Sequence, residues 1–151
     1  MVRNMVVTTK LFGLALAPLY AAIAQVESDR GATSANVYQL RTLYIADVNR
    51  ITRDWNRNAN ASGETPFPIF TAADRTNRGK SRWMMAIYWT HYGRVYASRT
   101  GKPVTYEVLA RIHNGGPYGW RKPSTKRYWL KVKAAMEKDF GSAERSSANL
   151  E

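Results

Sequence analysis

Apolar residues along this chain recur three and four positions apart, the spacing of helices that bury one face, and few stretches alternate as a half-exposed strand would. Leu19, Ala22, Ile23 and Val26 form one such stripe within a run of strong helix formers that Pro18 can open from the first turn. A second helix is expected from Val37 to Trp55, with Leu40, Leu43, Tyr44, Val48, Ile51 and Trp55 inward and Arg41, Asp47, Asn49 and Arg50 outward. Thr71 to Asp74 can start a third, whose dense run Trp83-Met84-Met85-Ala86-Ile87-Tyr88-Trp89 marks the buried centre and which Gly101 and Pro103 close. Thr105 caps a short fourth helix with Val108, Leu109 and Ile112 on its apolar side. Ser124 or Thr125 caps the last, where Trp129, Val132, Ala135, Met136 and Phe140 share one face and lysines with Arg127 line the rest.

These elements predict a mainly α fold: one domain over residues 1–140, with no more than a vestigial β-hairpin between Ser28 and Val37, and a flexible polar tail over 141–151. The expected core draws on Leu19, Ile23, Leu43, Trp83, Ile87, Leu109 and Trp129. Asn56 to Phe70, with Pro66 and Pro68, is a loop whose role the pattern does not reveal. Leu11 to Ala17, following Arg3 and Lys10, copies the layout of a secretory signal peptide. Its two small-x-small sites are awkward ones. A cut after Ala24 leaves Glu27 almost at the new end, and a cut after Ala17 precedes Pro18, so the uncleaved chain is the expectation. The run is too short and too quickly followed by charge to span a membrane.

Length and composition suit a single core: 151 residues, 44% of them hydrophobic and 12% aromatic. The net charge of +12 favours an anionic partner without choosing among nucleic acid, acidic lipid and wall polymers. There is no cysteine, so the fold holds without disulfides and can form in a reducing compartment. His91 and His113 are the only histidines and lie too far apart in sequence for a helical pair of ligands, so neither a metal nor a cofactor is expected.

Two stretches carry candidate chemistry. The fourth helix stops at His113-Asn114-Gly115-Gly116-Pro117, where glycine leaves backbone amides uncovered and Tyr118 and Trp120 flank the opening. Aromatic faces beside bare amides and an Asn suit a sugar ring, while a plain helix C-cap with two anchoring aromatics accounts for the same residues. Glu27 falls near the C-terminal end of the first helix, where apolar neighbours and the helix dipole both oppose its ionisation. A general acid needs such a carboxyl; a solvated Glu in a fraying turn is the plainer alternative.

The wording of the first stretch goes further. Tyr106 to Trp120, followed by Ser124-Thr125 and Tyr128-Trp129-Leu130-Lys131-Val132, resembles the C-terminal signature of invertebrate-type (destabilase-like) lysozymes. Gln25-Val26-Glu27-Ser28 looks like the Glu-Ser catalytic segment of the lysozyme superfamily, and Val37-Tyr38-Gln39-Leu40 like the floor segment that follows it. The resemblance implies a lysozyme-like helical fold and a peptidoglycan substrate, with Glu27 as general acid and Tyr38, Gln39, His113, Asn114, Gly115, Gly116, Tyr118 and Trp120 along the glycan cleft. It implies either a glycoside hydrolase or a lytic transglycosylase, in which a substrate hydroxyl attacks intramolecularly and one Glu suffices.

This chain departs from the family in two ways. Those lysozymes are rich in disulfides, and they carry a second catalytic Asp in a long hairpin that here shrinks to Asp29 to Asn36. Asp29 reads as a surface acid paired with Arg30 or a lysine. The lack of cysteine suggests a bacterial or phage source, with synthesis in the cytoplasm and action at the bacterial wall. A monomer is expected, with glycan strands and anionic wall polymers as partners in preference to nucleic acid. The rival reading is a non-catalytic module that holds glycan, or a basic domain for nucleic acid.

Overall fold

The computed structural model describes residues 9–60, 63 and 66–148, the side chains of 60 and 142–148 excepted. Five α-helices make up the body: α1 (Ala17–Asp29), α2 (Thr42–Asn60), α3 (Arg78–Thr100), α4 (Tyr106–Gly115) and α5 (Thr125–Ala148). A two-stranded antiparallel hairpin, β1 (Lys10–Leu11) and β2 (Leu14–Ala15), precedes them. The mainly α expectation holds. The small hairpin lies at the start of the described chain, and 28–37 contains no strand.

The hairpin takes up part of the signal-like run. Phe12 and Gly13 both have positive φ, 51° and 76°, the backbone a two-residue hairpin turn requires. The Phe12 ring rests on Gly93 of α3, where a Cβ would come within 2.6 Å of it, and the Tyr106 hydroxyl donates to Ala15 O at 2.8 Å. Beyond the turn Leu16, Leu19, Ala22 and Ile23 are fully buried, so a cut at either candidate site would strip side chains from the core.

α5 lies against α1 and α4, α3 packs on α2 and α4, and the buried side chains meet around Trp89. Trp89 donates its indole N–H to Leu109 O at 2.9 Å, which ties α3 to α4 at the centre. Of the expected core, Leu19, Ile23, Ile87 and Leu109 are buried, while Trp83 and Trp129 are half-buried against its edge. Leu43 is 84% exposed, a correction with a clear cause. The helix begins at Thr42 and not at Val37, so Leu43 sits in its exposed first turn, and the buried stripe is Ile45, Val48, Ile51 and Thr52.

Asn49, expected outward, is buried and brackets Phe70: its amide accepts from the Phe70 N–H and donates to the Phe70 carbonyl, both at 2.8 Å. Asn56 holds Phe67 in the same way at 2.6 and 2.9 Å. The proline-containing loop is thereby stapled along α2. A 3-10 turn at Ala72–Thr76 precedes α3, which Asn77 caps by accepting from Lys80 N at 2.9 Å. Gly101 ends α3 with φ 66°, as its position predicted. The backbone of α5 stays helical to Ala148, into the stretch expected to be a polar tail, and the last three residues lie outside the described ones.

Candidate active site

Glu27 sits in the last turn of α1, 4% exposed, on the wall of a groove of about 380 Å³. Burial raises the pKa of its carboxyl above the ordinary Glu value, outweighing three influences that favour ionisation: the Tyr128 hydroxyl, Arg30 and Arg41. Tyr128 of α5 donates to Glu27 Oε1 at 2.8 Å, and the Arg30 guanidinium stands 3.8 Å from the same oxygen. Burial, with no dipole contribution invoked, accounts for the shift expected from sequence. A carboxyl held this way keeps its proton to higher pH, as a general acid must.

The loop from α1 to α2 closes the groove on one side. Gln39 has φ 50°, left-handed backbone unusual for a non-glycine residue, and its amide donates to Glu27 O at 3.2 Å and Arg30 O at 3.3 Å. It thus satisfies carbonyls at the end of α1 and fixes the loop against the acid. Tyr38 is buried, and its hydroxyl accepts from Arg82 Nε at 2.8 Å, away from the groove; its carbonyl takes the His113 Nε2 contact at 3.1 Å. Asp29 is exposed and accepts from Gln25 at 3.2 Å, and among the described residues it pairs with neither Arg30 nor a lysine.

α4 supplies the opposite end. Thr105 accepts from Val108 N at 3.3 Å, the cap read from sequence, and Val108, Leu109 and Ile112 are buried. His113, Asn114, Gly116 and Pro117 reach the groove that Glu27 lines. Burial lowers the His113 pKa to about 4, so the ring is neutral near pH 7 and carries its proton on Nε2 toward the Tyr38 carbonyl. Gly116 turns the chain with φ 85°. Gly115 instead packs on the start of α5, where an added Cβ would meet Thr125 at 2.5 Å.

Tyr118 and Trp120 fall outside the groove. Arg99 and Arg121 lie over the Tyr118 ring at 5.1 and 4.6 Å, and Trp120 packs edge-on against Tyr96 at 5.1 Å. They anchor the turn, as the plain C-cap reading has it. Thr125 likewise serves as an anchor and not as a cap: its hydroxyl accepts from Arg111 Nε at 2.8 Å and faces the carbonyl of Gly119 at 2.7 Å.

Other groove residues were read from the pattern only as helix faces or core, not as part of a site. Tyr44 and Tyr88 stack with ring centroids 4.0 Å apart, and Leu43 and Arg41 stand on the lip. Asp47 of α2 also lines it, a second carboxylate in the groove with Glu27. Asp47 accepts from Arg50 at 2.7 Å and from the Tyr92 hydroxyl, which hold it in place. Its position one turn and a half into α2 is visible only once the start of that helix is known.

No family model matches the chain. A 41-residue stretch is 56% identical to a lysozyme of Magallana gigas, covering 27% of this chain and 30% of that one. Lysozyme 1 of Crassostrea virginica is 30% identical over 106 residues, 70% of this chain and 47% of the relative. Invertebrate-type lysozyme 3 of Caenorhabditis elegans is 28% identical over 106 residues, 70% and 69% of the two chains. This chain resembles the invertebrate-type lysozymes. The aligned stretch spans less than half the length of the first two relatives, and the lysozyme-like likeness is carried without a single cysteine. The expected bacterial or phage source gains no support from these lysozymes, whose named organisms are animals.

Proposed function

We propose that the protein is a muramidase-like glycosidase that cleaves the glycan strands of peptidoglycan at the bacterial wall. The observation that carries this reading is the buried, pKa-raised Glu27 carboxyl on the wall of a groove shared with His113, Asn114 and Gly116. Glu27 gives its proton to the leaving glycosidic oxygen as the bond to the anomeric carbon breaks, and the positive charge that develops on the sugar ring is discharged by a nucleophile. Water fills that role in hydrolysis, losing its proton to a carboxylate; Asp47 is the second acid available to the groove. In the transglycosylase alternative a hydroxyl of the same sugar attacks and returns the proton to Glu27, and the engagement of Asp47 by Arg50 and Tyr92 favours it.

Lysis of purified walls by wild type, Glu27→Gln and Asp47→Asn, with mass analysis of the released sugars, tests the proposal. Wild type should clear the walls and Glu27→Gln should not. An addition of water to each product marks hydrolysis; its absence marks the intramolecular route. Lysis by Glu27→Gln would overturn the mechanism, and a wild type inert on every wall that nonetheless binds glycan would leave the non-catalytic module.

A further inference from the structure

A second cavity, of about 440 Å³, opens on the other side of the α1–α2 loop. Glu27 faces the groove already described, and the next residue, Ser28, faces this one. Arg78 and Arg82 line it from α3, with Ser28 at the end of α1 and Thr33 and Ser34 of the following loop opposite. None of its lining residues is a carboxylate, and neither arginine forms an ion pair with a described carboxylate.

This arrangement is unfavourable within the chain alone. Arg78 and Arg82 are one turn apart at the N-terminal end of a 23-residue helix, where like charges repel and the helix dipole opposes cations. Arg82 is nevertheless held in one orientation. Its Nε donates to the Tyr38 hydroxyl at 2.8 Å, its guanidinium lies 5.3 Å from the Tyr20 ring centre, and the Tyr20 hydroxyl donates to its backbone carbonyl at 3.0 Å. The terminal nitrogens of a guanidinium fixed this way keep their donors for another partner.

We propose that this cavity is a phosphate-binding site, distinct from the catalytic groove. A guanidinium fork matches two oxygens of one phosphate, a second arginine reinforces it, and three hydroxyls can serve the remaining oxygens. A carboxylate offers only two oxygens for the same donors and fits the set less well. The source is either free phosphate or the phosphodiester of an anionic polymer. Nothing in the assignment depends on glycan cleavage.

Calorimetric titration of the full chain at constant ionic strength tests it, with inorganic phosphate, a glycerol-phosphate oligomer and acetate as probes. Phosphate should saturate a single site that acetate does not compete for. Arg78→Ala, an exposed residue with no described partner, and Ser34→Ala should each keep the fold and weaken phosphate, Arg78→Ala by about tenfold. Arg53→Ala, which removes the same charge elsewhere, should leave affinity unchanged, and Glu27→Gln should bind as wild type does. Preference for the oligomer over inorganic phosphate identifies the diester as the source, and the reverse identifies free phosphate. Non-saturating binding, equal competition by acetate, or an equal loss from Arg53→Ala would overturn the site. Arg82→Lys, checked by circular dichroism, adds a variant that keeps the charge and loses the fork.

Discussion

Tyr128 and Arg30 pull the Glu27 carboxyl in the direction opposite to its burial, and the balance between them sets the pH range of the site. The Tyr128 hydroxyl donates to Glu27, which favours the ionised form. Tyr128→Phe removes that donor and leaves the ring, so the Glu27 pKa should rise further. On the proposed mechanism the acid form is the active one, so the alkaline limb of the activity profile should move to higher pH, while the acid limb stays where it is. A profile of initial rate against pH for both proteins checks this; an alkaline limb shifted to lower pH would mean that Tyr128 acts otherwise. Glu27 itself was legible in sequence, since an acid that ends an apolar helical stripe has few exposed directions left. Its partner was not, because Tyr128 lies 101 residues away and only the packing of α5 on α1 brings the two together.

Helix identity came through at the level of elements, whereas the helix starts did not, and the misplaced residues follow from that. The start of α2 at Thr42 and not at Val37 leaves Leu43 in an exposed first turn, and Asp47, four residues on along the same face, lines the groove with it. Periodicity is insensitive to such a shift, because the asparagine that holds the loop in place, Asn36, acts through bonds to Leu40 N at 2.8 Å and Leu40 O at 3.1 Å that have no signature in an apolar pattern. The turn after α4 was read correctly as a stop, but its tightest point is Gly119. A Cβ there would lie 1.9 Å from the Arg111 carbonyl oxygen, an impossible approach to backbone. Gly119→Ala should therefore separate the turn from α4 and destabilise the protein by about 3 kcal/mol, as overpacking against backbone does. Chemical denaturation measures it. Gly101→Ala, where nothing lies within 4 Å of the added Cβ, is the comparison, its cost confined to the strain of φ 66°. Equal losses at the two positions would mean that the close approach at Gly119 relaxes freely.

For the whole molecule the dominant feature is charge: twenty-three Lys and Arg against eleven Asp and Glu. A body so cationic approaches any anionic polymer, the proposed wall included, faster than diffusion alone delivers it, and that advantage shrinks as the screening length falls from about 30 Å at 0.01 M salt to about 3 Å at 1 M. The proposed glycan cleavage would take place inside a groove, where Glu27 is buried and its pairing with Arg30 and Tyr128 is short-ranged. The two contributions should therefore separate. Initial lysis of intact walls should fall several-fold between about 0.02 M and 0.5 M sodium chloride. Cleavage of a soluble, uncharged N-acetylglucosamine oligomer should change less than about twofold over the same range, since no long-range attraction is lost. Measuring both at one pH keeps the protonation of Glu27 constant between the assays. A parallel loss on both substrates would mean that salt acts in the groove, through Arg30 and Arg41 on its wall, and that the net charge has little part in finding the substrate.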